Sequence, residues 1–170
     1  MIIDVSPMLR GEVGKIEIDY MLEPETLYGV SFPEKARVRG QLTDNAGYMR
    51  LCLTTEISYE GECARCLAPV NGVFSLDFER TVAPEGVLSD EQIEQNVDEY
   101  VILSGNELDV DEQLREELVL SFPQKLLCDE DCEGLCPKCG KRRADGPCGC
   151  PEKEIDPRLA VLKNFFSEEK

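Results

Sequence analysis

The chain has 170 residues, with 35 acidic and 18 basic side chains, no His, no Trp and a net charge of -17. A surface this negative keeps a protein dispersed and repels phosphate and anionic lipid. Contact with RNA or membrane would therefore have to rest on a local patch. The length suits one domain with a small appendage, and a chain of this size buries a core without help from cysteine. Met1 to Arg10 carries an early acid and only a short apolar run, so it does not read as a signal peptide, and no stretch is apolar for long enough to span a bilayer. The expectation is a soluble cytoplasmic protein, with no membrane association and no small-molecule substrate evident. In that compartment thiols stay reduced, and closely spaced cysteines hold metal more often than disulfides.

From residue 1 to about 83 the chain consists of short apolar or alternating runs broken by Gly, Pro and Asn-Gly. Ile16 to Tyr20 and Ala36 to Leu42 alternate, Tyr48 to Tyr59 is a longer run, and Val73 to Phe78 follows the turn signal Asn71-Gly72. Asp44-Asn45-Ala46-Gly47 reads as a hairpin turn. This spacing predicts an antiparallel meander. From Glu79 to Glu117, 13 acids stand against Arg80 and Arg115; within that stretch Pro84 to Asn96 reads as an exposed loop or a short solvated helix. Asp109 then opens a helix, with Glu112 three residues on in the manner of a capping box and Val110, Leu114 and Leu118 forming one apolar stripe. Pro123 ends it. Asp156-Pro157 pairs an N-cap with a first-turn proline, and Leu159, Leu162, Phe165 and Phe166 line a last helix. The predicted class is α+β: a β-rich antiparallel body with its central helix (residues 1–127), then a Cys-rich zinc-knuckle segment with a C-terminal helix (residues 128–170), integrated as one domain.

Eight of the nine cysteines fall into four close pairs: Cys63 with Cys66, Cys128 with Cys132, Cys136 with Cys139, and Cys148 with Cys150. Two intervening residues let both thiolates of a pair face one tetrahedral ion, and the Gly140 that follows Cys139 eases the tight turn. With no histidine in the chain, a tetrahedral zinc site must rely on cysteine, and four pairs match two tetrathiolate sites. Loop closure favours Cys136, Cys139, Cys148 and Cys150 around one ion, which leaves Cys63 and Cys66 to meet Cys128 and Cys132 across the chain. The rival pairing joins Cys63 and Cys66 to Cys136 and Cys139. Three other readings stay open: metal-free buried thiols, a redox dithiol at Cys63 and Cys66, and an iron–sulfur cluster. Cys52, inside an apolar run, is expected in the core.

Closed tetrathiolate sites leave no open coordination position, and the chain has no phosphate loop, nucleophile elbow or triad. No enzymatic activity is expected. Between Lys138 and Lys163, seven basic residues face four acidic ones, concentrated at Lys138, Lys141, Arg142 and Arg143. A basic cluster on a rigid knuckle can grip phosphates, although a solvated turn explains it equally well.

The ordered motifs Glu62-Cys63-Ala64-Arg65-Cys66-Leu67, Cys128-x3-Cys132-Glu133-Gly134-Leu135-Cys136-Pro137-Lys138-Cys139-Gly140, Cys148-x-Cys150 and Ile155-Asp156-Pro157-Arg158-Leu159-Ala160-Val161-Leu162 resemble the YceD-like family. These bacterial and plastid proteins are named for accumulation of 23S rRNA. Their gene commonly neighbours that of a large-subunit ribosomal protein. The resemblance implies a ribosome-biogenesis role, with a large-subunit ribosomal protein or the 23S rRNA precursor as partner. Where the family tends towards Asn-Leu-Asn, this chain carries Lys141-Arg142-Arg143, so no partner contact carries over at those positions. The expected function is a non-catalytic assembly factor stabilised by two structural zinc ions. The alternatives are a zinc-bearing adaptor that binds only protein, and a thiol redox or metal-handling protein.

Overall fold

The computed structural model describes residues 1–45, 48–89, 91, 94, 100–103 and 105–150. Strand β1 (Ile2–Asp4) and a single helical turn α1 (Ser6–Leu9) lead into β2 (Lys15–Leu22), β3 (Ala36–Asn45), β4 (Tyr48–Glu62) and β5 (Pro69–Pro84). After these come β6 (Tyr100–Leu103), β7 (Glu107–Asp109), α2 (Val110–Ser121) and a 3-10 turn at Arg143–Asp145. The main sheet has the order β2-β3-β4-β5-β6, and β1 pairs with β7 in a second, two-stranded sheet. No helix among the described residues is long and apolar enough to cross a membrane.

Strict alternation in β2 to β5 gives the sheet one apolar and one polar face. Ile18, Val38, Leu42, Leu51, Leu53, Ile57, Leu76 and Val82 point inward and are buried. Each such side chain contributes roughly 2 kcal/mol of hydrophobic stabilisation. Helix α2 covers this face with Val110, Leu114 and Leu118, as its sequence stripe predicts. Asp109 caps it, its Oδ1 accepting from the main-chain N–H of Asp111 at 3.0 Å and Glu112 at 3.3 Å. Arg80, on the inner side of β5, meets the Glu117 carboxylate of α2 and lies 5.5 Å from the Phe78 ring centroid.

The chain leaves α2 through Phe122, whose ring makes edge-on contacts with Phe32, Tyr59 and Phe74 at 5.6, 5.5 and 5.1 Å. Such contacts each add about 1 kcal/mol beyond burial. They pin residues 122–126 against the far end of the β4–β5 hairpin, where Ala64 N–H donates to the Leu126 carbonyl at 2.8 Å. The turn at 63–68 therefore stands next to the chain entering Cys128.

Three expectations are corrected. Asn71-Gly72 is not a turn: both residues lie inside β5, opposite Glu60 and Tyr59. The Tyr59 ring lies over Gly72, where an added Cβ would meet its hydroxyl at 2.7 Å, so the glycine serves close packing. The meander is not wholly antiparallel, because β6 runs parallel to β5 with Thr81 beside Tyr100. Cys52 is not in the core; it is half-buried on the polar face, its Sγ 3.7 Å from Glu79 Oε2. The expected C-terminal helix lies outside the described residues, as do Ala46-Gly47 of the predicted hairpin turn and most of Asp90 to Asn96.

Candidate metal centres

At the tip of the β4–β5 hairpin, Cys63 N–H donates to the Ala68 carbonyl at 2.8 Å and Leu67 N–H to the Cys63 carbonyl at 2.9 Å. The second knuckle repeats this pattern: Cys136 N–H donates to Lys141 at 2.8 Å and Gly140 N–H to Cys136 at 2.9 Å. In both, the residue after the second cysteine is left-handed, Gly140 at φ 73° and Leu67 at φ 58°. Glycine enters that region freely, whereas leucine does so at a cost of about 1–2 kcal/mol.

The eight paired cysteines assemble into two groups, Cys63, Cys66, Cys128 and Cys132, and Cys136, Cys139, Cys148 and Cys150. Within each group the sulfurs lie within 4.8 Å of one another. This is the arrangement favoured by loop closure. Four sulfurs about 2.3 Å from a shared tetrahedral ion stand about 3.8 Å apart. The Cys63 and Cys132 sulfurs are 3.8 Å apart, and those of Cys66 and Cys128 are 3.5 Å apart. The donor set and the spacing fit one thiophilic ion per group. They are too tight to bracket a multi-iron cluster. Four thiolates close the tetrahedron and leave no position for a substrate.

The electrostatics follow from this crowding. Main-chain N–H groups of Cys128, Arg65 and Cys66 hold the Cys63 thiol down to about 6, against the pull of burial. Those of Cys139 and Lys138, together with the Cys148 thiol, do the same for Cys136, also to about 6. By contrast, neighbouring sulfurs, Cys66 foremost, push Cys128 up to about 12, and Cys139 and Cys148 push Cys150 up to about 12. One sulfur in each group ionises readily while another resists joining a cluster of negative charge. A bound dication removes that resistance.

A feature that sequence reasoning missed holds the first centre together. Arg65, between its two cysteines, donates from Nη1 to the carbonyls of Glu130 at 3.0 Å and Cys132 at 2.9 Å. Gly134, at φ 75°, presses on the same residue; an added Cβ there would sit 2.9 Å from the Arg65 carbonyl oxygen. Arg143 N–H donates to Gly134 at 3.0 Å, so the two centres share a backbone wall. An arginine inside one cysteine pair, with the acidic run Asp129-Glu130-Asp131 inside another, was the available signal.

The basic cluster divides. Lys138, Lys141 and Arg143 line one recess of about 570 Å³ beside the second centre. Arg142 is turned away onto Asp145, at 3.1 Å. Lys153, Arg158 and Lys163 lie outside the described residues. So do Asp98 and Glu99 of the acidic stretch.

Fold and site define a class: an α+β protein with one-sided sheet packing and two closed four-cysteine centres that could hold metal. The chain belongs to the YceD family, described as large ribosomal RNA subunit accumulation protein, whose model matches residues 51–166. Uncharacterized proteins of Mycobacterium tuberculosis and Mycobacterium bovis are 35% identical over 109 residues, covering 64% of this chain and 51% of each relative. One from Mycobacterium leprae is 26% identical over 106 residues, 62% of this chain and 48% of that protein. The chain thus spans about half the length of these curated relatives. No solved structure matches it.

Proposed function

We propose that this protein is a non-catalytic, cytoplasmic ribosome-biogenesis factor that supports accumulation of 23S rRNA and is held in shape by two structural zinc ions. The observation that carries the reading is the pairing of the family match with two closed, thiolate-only centres. Zinc suits them because it accepts four thiolates tetrahedrally without redox demands. Cys63, Cys66, Cys128 and Cys132 hold one ion, and Cys136, Cys139, Cys148 and Cys150 the other. A net charge of -17 favours a basic large-subunit ribosomal protein as partner over bulk RNA. RNA precursor contact, where it occurs, falls to Lys138, Lys141 and Arg143. The test is depletion and rescue. Cells lacking the protein should show a lowered ratio of 23S to 16S rRNA, restored by the wild-type gene, and tagged protein should sediment with large-subunit precursors. An unchanged ratio together with absence from precursor fractions would remove this reading.

A further inference from the structure

Among the described residues two non-glycine residues have left-handed backbones, Tyr28 at φ 53° and Leu67 at φ 58°. Both are large and apolar, both are exposed (47% and 61%), and both line the same groove. We propose that this groove docks an extended, basic segment of a partner protein in which one large apolar side chain is flanked by Lys or Arg.

The strain is the first argument. Leu27 and Val30 exchange main-chain hydrogen bonds at 3.1 and 2.8 Å around Tyr28 and Gly29, whose φ values are both positive. This is a two-residue turn that Asn-Gly would make at lower cost. Gly140 shows, at the equivalent place in the second knuckle, that a knuckle needs no side chain there. Strain kept at exposed positions, where it stabilises no core, marks use by a ligand. Tyr28 is steadied by its hydroxyl, which donates to the Val119 carbonyl at 3.2 Å, while Leu67 is free to reach outward.

Shape and charge identify the occupant. The groove has a volume of about 810 Å³, and Glu60, Glu62 and Lys125 form its charged rim. None of the three side chains takes part in an ion pair among the described residues. Two carboxylates against one ammonium, on a chain of net charge -17, repel a polyphosphate and attract Lys or Arg. The floor offers main-chain hydrogen bonds as well. Along the outer edge of β4, Ser31 covers Glu60 through two bonds of 2.9 Å, and Leu126 covers Ala64. Alternation turns the N–H and C=O of Glu62 to that same edge, between those two covers. One residue of a docked segment can pair with Glu62 there, in the manner of strand addition but at a single position.

This inference names the partner surface of the assembly factor proposed above and rests on that reading. The experiment uses the full, zinc-loaded chain and fluorescence anisotropy. The probes are a fluorescein-labelled peptide of Lys and Arg around a central Leu, the same peptide with Gly for that Leu, and a labelled oligoribonucleotide. The Leu peptide should bind, and the Gly peptide should bind about tenfold more weakly. Leu67→Gly and Tyr28→Asn should each weaken binding about tenfold while the melting temperature holds or rises, because strain is relieved. Glu60→Gln with Glu62→Gln should weaken binding and flatten its salt dependence. Equal binding by Leu67→Gly and Tyr28→Asn, a lowered melting temperature in both, or preference for the oligoribonucleotide overturns the proposal. Gradient sedimentation separates the two ideas. If wild type and both variants sediment with large-subunit precursors alike, the groove falls and the assembly reading stands. If wild type does not sediment with them yet still discriminates the peptides, the assembly reading falls and the groove stands.

Discussion

Arg65 Nη1 lies 2.9 Å from the carbonyl oxygen of Cys132, 67 residues further along the chain. A side chain between two ligands thus fixes the loop that brings the other two. Arg65→Ala should leave the sheet folded but speed metal loss from the first centre, with affinity falling about tenfold or more. Arg65→Lys should recover only part, because both bonds come from Nη1 at the far end of the guanidinium and the shorter lysine stem does not carry its ammonium to that point. Competition with a chromogenic chelator measures both.

The two centres differ in what they tie together. Cys63→Ser removes a link between the hairpin tip and residues 128–132, whereas Cys136→Ser opens a loop closed within 15 residues of sequence. Each variant should retain about one metal ion of two by elemental analysis. Cys63→Ser should lower the melting temperature more, and hydrogen exchange should show the loss reaching residues 122–132. With Cys136→Ser the β-sheet amides should stay protected.

Gly40 sits opposite Leu53 in the β3–β4 ladder, and an added Cβ would fall 2.0 Å from the Cys52 carbonyl oxygen. No rotamer relieves a clash with backbone. Gly40→Ala should therefore part the two central strands and cost about 3 kcal/mol, read as a lowered urea midpoint. Gly14→Ala, where nothing lies within 4 Å of the added carbon, is the control and should leave the midpoint within about 0.5 kcal/mol of wild type.

Tyr20 donates its hydroxyl to Asp111 Oδ1 at 2.5 Å. Burial first, then the bond to Asp111 and its negative charge, raise the phenol above its ordinary value. A raised folded-state value means the contribution is fully present below about 10 and is lost as pH climbs through the folded value. Tyr20→Phe should be less stable than wild type at neutral pH. The gap should narrow above about pH 10, where the unfolded wild-type phenol ionises while the folded one stays protonated, and Phe has no such proton to lose. Chemical denaturation at a series of alkaline pH values follows the difference.

Much of this molecule is local information. The four cysteine pairs, the alternation of Ile16 to Tyr20 and Ala36 to Leu42, and the Asp109 cap with its Val110, Leu114 and Leu118 stripe are each written within a dozen residues. Spacing and period suffice to read them. Tertiary structure decided what depends on distant partners. Cys63 and Cys66 meet Cys128 and Cys132 because Phe122 locks into Phe32, Tyr59 and Phe74 and sets the chain down at the hairpin tip. Asn71-Gly72 carries a turn signature, yet the actual reversal is the cysteine knuckle at 63–68, and the tyrosine opposite makes Gly72 a packing residue. Cys52 occupies an apolar run but an outward register position, since one step along a strand changes the face. The left-handed backbones of Tyr28 and Leu67 carry no sequence signal, because neither residue favours that region and only the hydrogen bonds around each impose it.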